Sequence, residues 1–118
     1  QKAAVEALRG PQECVGEMLT EFKKRRDYVI GRLKAMPGVK VQVPQGAFYA
    51  YPNVSCAFKG GISNSLQFCE KLLSEELVAV VPGEAFGTSS HVRISYATSM
   101  KELERGLDRI QRFIAARA

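Results

Sequence analysis

The longest hydrophobic pattern follows a break at Gly10 and Pro11 and continues to about Met36. Its apolar members are Val15, Met18, Leu19, Phe22, Val29, Ile30 and Leu33. Because an α-helix turns once in about 3.6 residues, this spacing gathers the side chains on one side. The pattern predicts a long amphipathic helix that begins near Pro11 and ends before Pro37 and Gly38.

Short alternating or apolar runs in the rest of the chain predict strands. Apolar and polar residues alternate over residues 39–43, and a turn at Pro44-Gln45-Gly46 separates them from a second run at residues 47–51. These two runs are expected to pair as an antiparallel hairpin. Residues 77–81 and 91–97 supply two further predicted strands on either side of a glycine-rich connector.

Two more helices complete the predicted order. One should open near Ser63 or Asn64, and the other should begin with the pair Ser99 and Glu102, a capping box in which each side chain satisfies the other residue's free backbone N–H. Their apolar stripes are Leu66, Cys69, Leu72 and Leu73, and Leu103, Leu107, Ile110 and Ile114. The order α-β-β-α-β-β-α predicts an α+β fold. It has a small, mostly antiparallel sheet of about four strands, with helices mainly on one face, preceded by the long helix.

Composition fits one globular domain. The chain has 118 residues, 46% hydrophobic and 25% charged, with a formal net charge of +5. Cys14, Cys56 and Cys69 are odd in number and widely spaced, which argues against a zinc site and favours a reducing, cytoplasmic compartment. Cys14 and Cys69 are expected to act as small apolar residues on helices. The chain lacks an initiating methionine and opens inside helix-like sequence, which suggests a fragment or a processed product.

The run of residues 91–97 carries the most specific chemistry. Alternation places Val92, Ile94 and Tyr96 on one face and Arg93, between His91 and Ser95, on the other. The planar guanidinium of an arginine can hold a carboxylate by two parallel hydrogen bonds, which lysine cannot reproduce. The sequence therefore predicts a carboxylate site at Arg93. Tyr49 and Tyr51 are expected to line the same face of the sheet.

The segments around this arginine resemble a known family. They are Val80-Val81-Pro82-Gly83-x-x-Phe86-Gly87, followed by His91-Val92-Arg93-Ile94-Ser95-Tyr96-Ala97-Thr98-Ser99. Together they resemble the C-terminal part of class I aspartate aminotransferases, pyridoxal-phosphate enzymes of fold type I. Pro44-Gln45-Gly46-Ala47-Phe48-Tyr49 resembles the family segment that precedes the arginine strand. Residues 1–8 resemble the stretch that leads out of the large domain.

The resemblance covers nearly the whole chain but only about the last third of such an enzyme. It implies that residues 1–10 end an interdomain or large-domain segment and that residues 11–118 form the C-terminal small domain. It further implies that Arg93 binds the substrate α-carboxylate, with Gly46 and Phe48 as further candidate substrate-binding residues.

The resemblance also sets expectations for the whole enzyme. It implies amino-group transfer between an amino acid of the aspartate or glutamate type and a 2-oxo acid, by a homodimer that uses pyridoxal phosphate. In that family the large domain supplies the Schiff-base lysine, the acid beside the pyridine nitrogen and the phosphate-binding groups. We therefore expect no catalytic, cofactor-binding or metal-binding residue in this chain, and we expect the isolated chain to be inactive.

Other functions remain open at this point. The chain is alternatively a stand-alone, non-catalytic domain that binds or associates through its aromatic sheet face. The basic run Lys23-Lys24-Arg25-Arg26 points in several directions on a helix, so a solvated surface is favoured over a nucleic-acid site. No membrane partner is expected. His91 is expected to be structural, because no carboxylate or nucleophile has a motif-defined place beside it. Aspartate, glutamate, prephenate and aromatic amino acids all remain candidate substrates.

Overall fold

A computed structural model describes residues 1–117, and within them lie four α-helices and one three-stranded sheet. The helices are α1 (Lys2–Arg9), α2 (Glu13–Lys34), α3 (Ser65–Glu76) and α4 (Met100–Ala115). The strands are β1 (Tyr49–Ala50), β2 (Val81–Pro82) and β3 (Val92–Ser95). Two 3-10 turns, Ser55–Ala57 and Gly83–Phe86, lie in the connections. The predicted α+β class is confirmed.

The sheet is antiparallel and has the order β1-β3-β2, so the arginine strand β3 is central. Tyr49 lies opposite Ser95, and Val81 lies opposite Arg93. Strand β3 therefore has a partner on each side, which fixes its backbone more firmly than an edge position would.

The prediction of four strands is wrong for the described residues. Residues 39–43 form only one isolated bridge, between Lys40 and Asn53, and β1 pairs with β3 instead of forming the expected hairpin. The side chain of Val43 is 47% exposed. The alternation of apolar and polar residues indicates which side chains prefer burial, but a strand also needs a hydrogen-bonding partner along its length. Among the described residues, this segment has such a partner only at Lys40.

The core lies between the sheet and helices α2, α3 and α4. Helix α2 contributes Val29, Ile30 and Leu33, and the buried rings of Phe68 and Phe113 meet edge to face at 5.1 Å between their centroids. Burying one such side chain contributes about 1.5–3 kcal/mol. The predicted stripe of α4 is buried at all of its positions, namely Leu103, Leu107, Ile110 and Ile114.

The first part of the chain forms an exposed arm. Residues 1–21 are exposed except for half-buried Gly10, and the molecule measures 54 × 26 × 24 Å. Helix α2 begins at Glu13 instead of Pro11, and its expected stripe is buried only in the second half. The apolar side chains left exposed on the arm are Val5, Leu8, Val15, Met18 and Leu19.

Both predicted helix caps are present, although one is incomplete. The side chain of Asn64 accepts a hydrogen bond from the N–H of Gln67 at 2.9 Å, and Ser99 accepts one from the N–H of Glu102 at 3.3 Å. The Glu102 carboxylate instead accepts a hydrogen bond from Arg105 at 2.8 Å. The reciprocal half of the capping box is therefore absent among the hydrogen bonds of residues 1–117.

The cysteines differ in exposure. Cys69 is buried on α3, as predicted, but Cys14 is exposed on α2, so its expected role as a packed apolar residue is wrong. Within residues 1–117, no group of three or more Cys, His, Asp or Glu side chains is arranged to hold a metal ion. No helix in the same part of the chain has the length and hydrophobicity needed to cross a membrane.

Candidate functional site

Arg93 lies in the middle of β3 with its side chain on the face opposite the core. Val92, Ile94 and Tyr96 are 1%, 7% and 1% exposed, whereas Arg93 is half-buried and Ser95 is exposed. The alternation predicted for this strand is confirmed. The strands on both sides of β3 fix the backbone of Arg93, from which its side chain projects.

Two aromatic rings lie close to the guanidinium. Its carbon atom Cζ lies 4.7 Å from the ring centre of Phe86 and 5.3 Å from that of Tyr49. Both distances are within the range at which a cation is attracted to an aromatic face. Arg93, Phe86, Tyr49 and Tyr51 line an open cavity of about 250 Å³. The predicted places of Tyr49 and Tyr51 on this face are confirmed, whereas Ser95 does not line the cavity.

The charge of Arg93 is not neutralised by the described residues. Its guanidinium makes no hydrogen bond or ion pair within residues 1–117, and the cavity lining contains no acidic residue. Other arginines behave differently, since Arg32 pairs with Asp108 at 2.6 Å and Arg112 pairs with Glu76 at 2.9 Å. A cation in an aromatic cavity with all its donors available is suited to a small anion such as a carboxylate.

Tyr51 connects this cavity to the loop that precedes β3. Its hydroxyl lies 2.7 Å from Oγ1 of Thr88, and its ring stacks on His91 at 5.0 Å between centroids with an interplanar angle of 13°. The ring nitrogen Nδ1 of His91 is 3.0 Å from the hydroxyl of Ser90. These contacts support the structural interpretation of His91, because they stack and orient its ring beside uncharged groups.

The structure separates Gly46 and Phe48 from the cavity at Arg93. Gly46 lines another cavity, of about 70 Å³, and a Cβ atom at this position would meet nothing within 4 Å. Phe48 is 50% exposed, and its ring centre is 5.9 Å from that of Tyr49, which itself contacts Arg93. Phe48 is therefore one ring away from the guanidinium. A role for either residue in substrate binding stays a prediction.

The basic run on α2 is partly engaged in contacts within the chain. The guanidinium of Arg25 lies 5.6 Å from the ring centre of Phe22, and Arg26 pairs with Asp27 at 2.8 Å. Lys23 and Lys24 are exposed, whereas the two arginines are half-buried. The four side chains do not form one exposed basic stripe, which agrees with the pattern expected from the sequence.

One pair of residues near the site was not found by sequence reasoning. The hydroxyl of Ser65, which is fully buried, donates a hydrogen bond to the carboxylate of Glu84. The same carboxylate accepts a hydrogen bond from the N–H of Leu66 at 3.3 Å. The bond from Ser65 is the main cause that holds the pKa of Glu84 below its ordinary value. No sequence motif connects Ser65 to Glu84.

Comparison with known proteins identifies the family. Residues 1–110 of the chain match the family described as aminotransferase class I and II. The chain belongs to this family. An aspartate aminotransferase from Bacillus sp. (strain YM-2) is 48% identical over 115 residues, which are 97% of this chain and 29% of that relative.

Solved structures of other aminotransferases have the same fold. The aspartate aminotransferase from Rhizobium meliloti superposes with a TM-score of 0.89 at 41% identity, covering 96% of this chain and 30% of that one. An aromatic aminotransferase from Pyrococcus horikoshii gives a TM-score of 0.86 at 39% identity, covering 98% of this chain and 31% of that one. The chain thus spans about three tenths of the length of these aminotransferases.

Membership of this aminotransferase family implies pyridoxal phosphate in the full-length enzyme. A site that holds this cofactor needs a lysine for the Schiff base and an acid for the pyridine nitrogen. Among the residues that the structure describes, neither a lysine nor an acidic residue lines the cavity at Arg93. The residues present there do not fit the cofactor, although they do fit a carboxylate.

Proposed function

We propose that this chain is the C-terminal small-domain part of a pyridoxal-phosphate-dependent aminotransferase, in which Arg93 binds the α-carboxylate of the substrate. In this proposal residues 1–10 end the segment from the large domain and residues 11–118 form the small domain. The observation that carries it is the half-buried guanidinium of Arg93, which lines an aromatic cavity and has no anionic partner among residues 1–117.

The chemistry of Arg93 is positioning. Two parallel hydrogen bonds from its guanidinium fix both the place and the orientation of a carboxylate. Holding a reactant in one orientation removes a large part of the entropic barrier to its reaction. Arg93 thus orients the amino acid or the 2-oxo acid for groups that lie outside this chain, and it transfers no proton itself.

The substrates of the whole enzyme are proposed to be an amino acid of the aspartate or glutamate type and a 2-oxo acid. Support comes from the relatives, several of which are named aspartate aminotransferases. A protein named aromatic aminotransferase has nearly the same fold in this region. We therefore place the group that recognises the substrate side chain outside residues 1–117.

The remaining properties of the enzyme follow from the same proposal. The full-length protein uses pyridoxal phosphate and forms a homodimer, and the isolated chain is inactive because the cofactor lysine is elsewhere. A cytoplasmic location is supported by the free thiols of Cys14, Cys56 and Cys69. Because the relatives are aminotransferases, a stand-alone binding domain is not favoured.

The gene provides the first test. We expect the reading frame to continue upstream of Gln1 into a domain that carries the cofactor lysine. The full-length product should transfer the amino group of L-aspartate to 2-oxoglutarate and should need pyridoxal phosphate to do so, whereas the 118-residue chain should not. A start codon directly before Gln1 would contradict the proposal and favour an independent binding domain.

A further inference from the structure

The 3-10 turn Gly83–Phe86 brings Phe86 to the carboxylate site, where about half of its side chain is exposed. Its aromatic neighbour is Tyr51, whose ring meets it edge to face with 6.1 Å between centroids, and the guanidinium of Arg93 lies 4.7 Å from its centre. The position of the ring therefore depends mainly on the backbone of the turn.

That backbone is attached to the start of helix α3. The Glu84 carboxylate accepts hydrogen bonds from the hydroxyl of Ser65 and from the N–H of Leu66. The hydroxyl oxygen of Ser65 in turn accepts a hydrogen bond at 2.9 Å from the N–H of Gly83, which also donates to the carbonyl oxygen of His91 at 2.9 Å. Ser65 uses its single proton for Glu84 and a lone pair for Gly83, so the buried hydroxyl holds the turn at two successive residues.

The chemistry of this attachment is favourable. A carboxylate is stabilised at a helix N-terminus, where backbone N–H groups lack partners within the helix and the helix dipole is positive. Hydrogen bonds to a charged acceptor are also about twice as strong as neutral ones. The lowered pKa of Glu84 agrees with these contacts. These contacts attach the exposed Glu84, and with it the turn, to the start of helix α3.

We propose that Glu84 is a positioning residue for the carboxylate site, which acts by holding the turn so that the ring of Phe86 lies against the guanidinium of Arg93. The expected effect on substrate binding rests on the proposed function. The contact between Phe86 and Arg93 does not. An arginine side chain loses much rotamer entropy when it becomes fixed. A ring that restricts the guanidinium before a ligand arrives reduces the part of that entropy lost on binding.

The direct test is an NMR measurement of the Arg93 side chain, because a nearby aromatic ring displaces the resonances of its Cδ protons and its Nε–H. Phe86→Leu removes the ring and measures the size of that displacement. We expect Glu84→Ala to produce at least half of the change caused by Phe86→Leu. Glu84→Gln should produce a smaller change, since its single amide oxygen can still accept one of the two hydrogen bonds that the two carboxylate oxygens now accept from Ser65 and Leu66.

Glu102→Ala is the matched control. Glu102 also lies in the first turn of a helix, but its carboxylate pairs with Arg105 and is not attached to the Gly83–Phe86 turn. It should leave the Arg93 resonances in place. A change in thermal midpoint alone, with unchanged Arg93 resonances in Glu84→Ala, would mean that Glu84 has only a structural role and would overturn the proposal. Unchanged resonances in Phe86→Leu would overturn it as well.

Kinetics of the full-length enzyme test the consequence separately. Glu84→Ala should raise KM for the amino acid and for the 2-oxo acid by about fivefold, with a smaller change in kcat, because the loss is in binding. An unchanged KM in this variant contradicts the consequence. If Arg93→Lys also leaves substrate kinetics unchanged, the proposed function is wrong. The NMR experiment still decides independently whether Glu84 positions Phe86 against Arg93.

Discussion

Among residues 1–117, aromatic rings and no carboxylate lie against the guanidinium of Arg93, and this determines what a substitution there should do. An arginine paired with an acid stabilises the fold by at most a small amount at the surface. Arg93 has no such partner among the described residues, so its replacement breaks no internal ion pair. The effect should therefore appear in ligand binding more than in folding.

Arg93→Lys should severely weaken substrate use in the full-length enzyme. Lysine keeps the positive charge but lacks the planar fork, and a hydrogen bond to a charged group contributes about 1.5–3 kcal/mol. We expect kcat/KM for both the amino acid and the 2-oxo acid to fall about 10- to 150-fold. Pyridoxal-phosphate content, measured by absorbance, should stay unchanged.

The control for this substitution is Arg112→Lys. Arg112 lies on α4 and pairs with Glu76 at a largely exposed position, so the same chemical change should leave kcat/KM within about twofold of the wild-type value. Equal kinetics in the Arg93 and Arg112 variants would exclude Arg93 as the carboxylate group.

The three cysteines should react with a thiol reagent in the order of their exposure. Cys14 is exposed, whereas burial raises the pKa of Cys56 and raises that of Cys69 to about 11. Because only the thiolate is nucleophilic, the raised pKa leaves very little of Cys69 reactive at pH 8. Ellman's reagent should therefore modify Cys14 quickly, Cys56 slowly and Cys69 only after unfolding.

Replacing Cys14 provides the check on that order. Cys14→Ser should abolish the fast phase and leave the slow one, and all remaining thiols should become reactive in denaturant. A fast phase that survives in Cys14→Ser would mean that the burial of Cys56 or Cys69 is lost transiently in the native chain.

At the scale of the structural elements, the connector between β2 and β3 is closely packed against the backbone at Gly83. A Cβ atom on Gly83 would lie 2.4 Å from the carbonyl oxygen of His91 and 2.6 Å from that of Thr88. Both are main-chain atoms, so they cannot rotate away as a side chain would. We expect Gly83→Ala to destabilise the chain by about 1–3 kcal/mol in urea unfolding, as overpacking does elsewhere.

Gly31→Ala is the matched control for Gly83→Ala. Gly31 is exposed within α2, and a Cβ atom there would meet nothing within 4 Å. In an exposed helix interior, alanine is more stabilising than glycine by about 0.5–1 kcal/mol, so this variant should be more stable than the wild type. Destabilisation of similar size in both variants would contradict the close packing described for Gly83.

The elements also show how far sequence patterns determine this fold. Strand β3 was predictable because one of its faces is buried, and burial forces strict alternation on Val92, Ile94 and Tyr96. Residues 39–43 alternate in the same way, but among the described residues they have a bridging partner only at Lys40. The side-chain pattern does not say which other segment of backbone will pair with a strand.

The site was predictable to the extent that it lies on β1 and β3. Arg93 and Tyr49 share a face because strand geometry dictates it, Tyr51 follows directly after β1, and the family motif singles out the arginine. Ser65 and Glu84 are 19 positions apart in a helix start and a turn, where no periodicity applies. Their contact arises only from the packing of α3 against the connector.

On the scale of the whole molecule, stability and apolar exposure are unevenly distributed. Helix α1 has no buried residue, whereas α4 buries Leu103, Leu107, Ile110, Phe113 and Ile114. The exposed arm therefore contributes little to the core despite carrying large apolar side chains. Changes in the arm should therefore lower the free energy of unfolding much less than changes in α4.

Removal of residues 1–9 should change the free energy of unfolding by less than about 0.5 kcal/mol, because changes at exposed positions rarely exceed this. Removal of α4 should prevent folding, since each deleted core side chain costs about 2–5 kcal/mol. Urea unfolding followed by circular dichroism measures both. A loss of several kcal/mol on removing residues 1–9 would mean that Val5 and Leu8 pack against the body in solution, instead of remaining exposed on the arm.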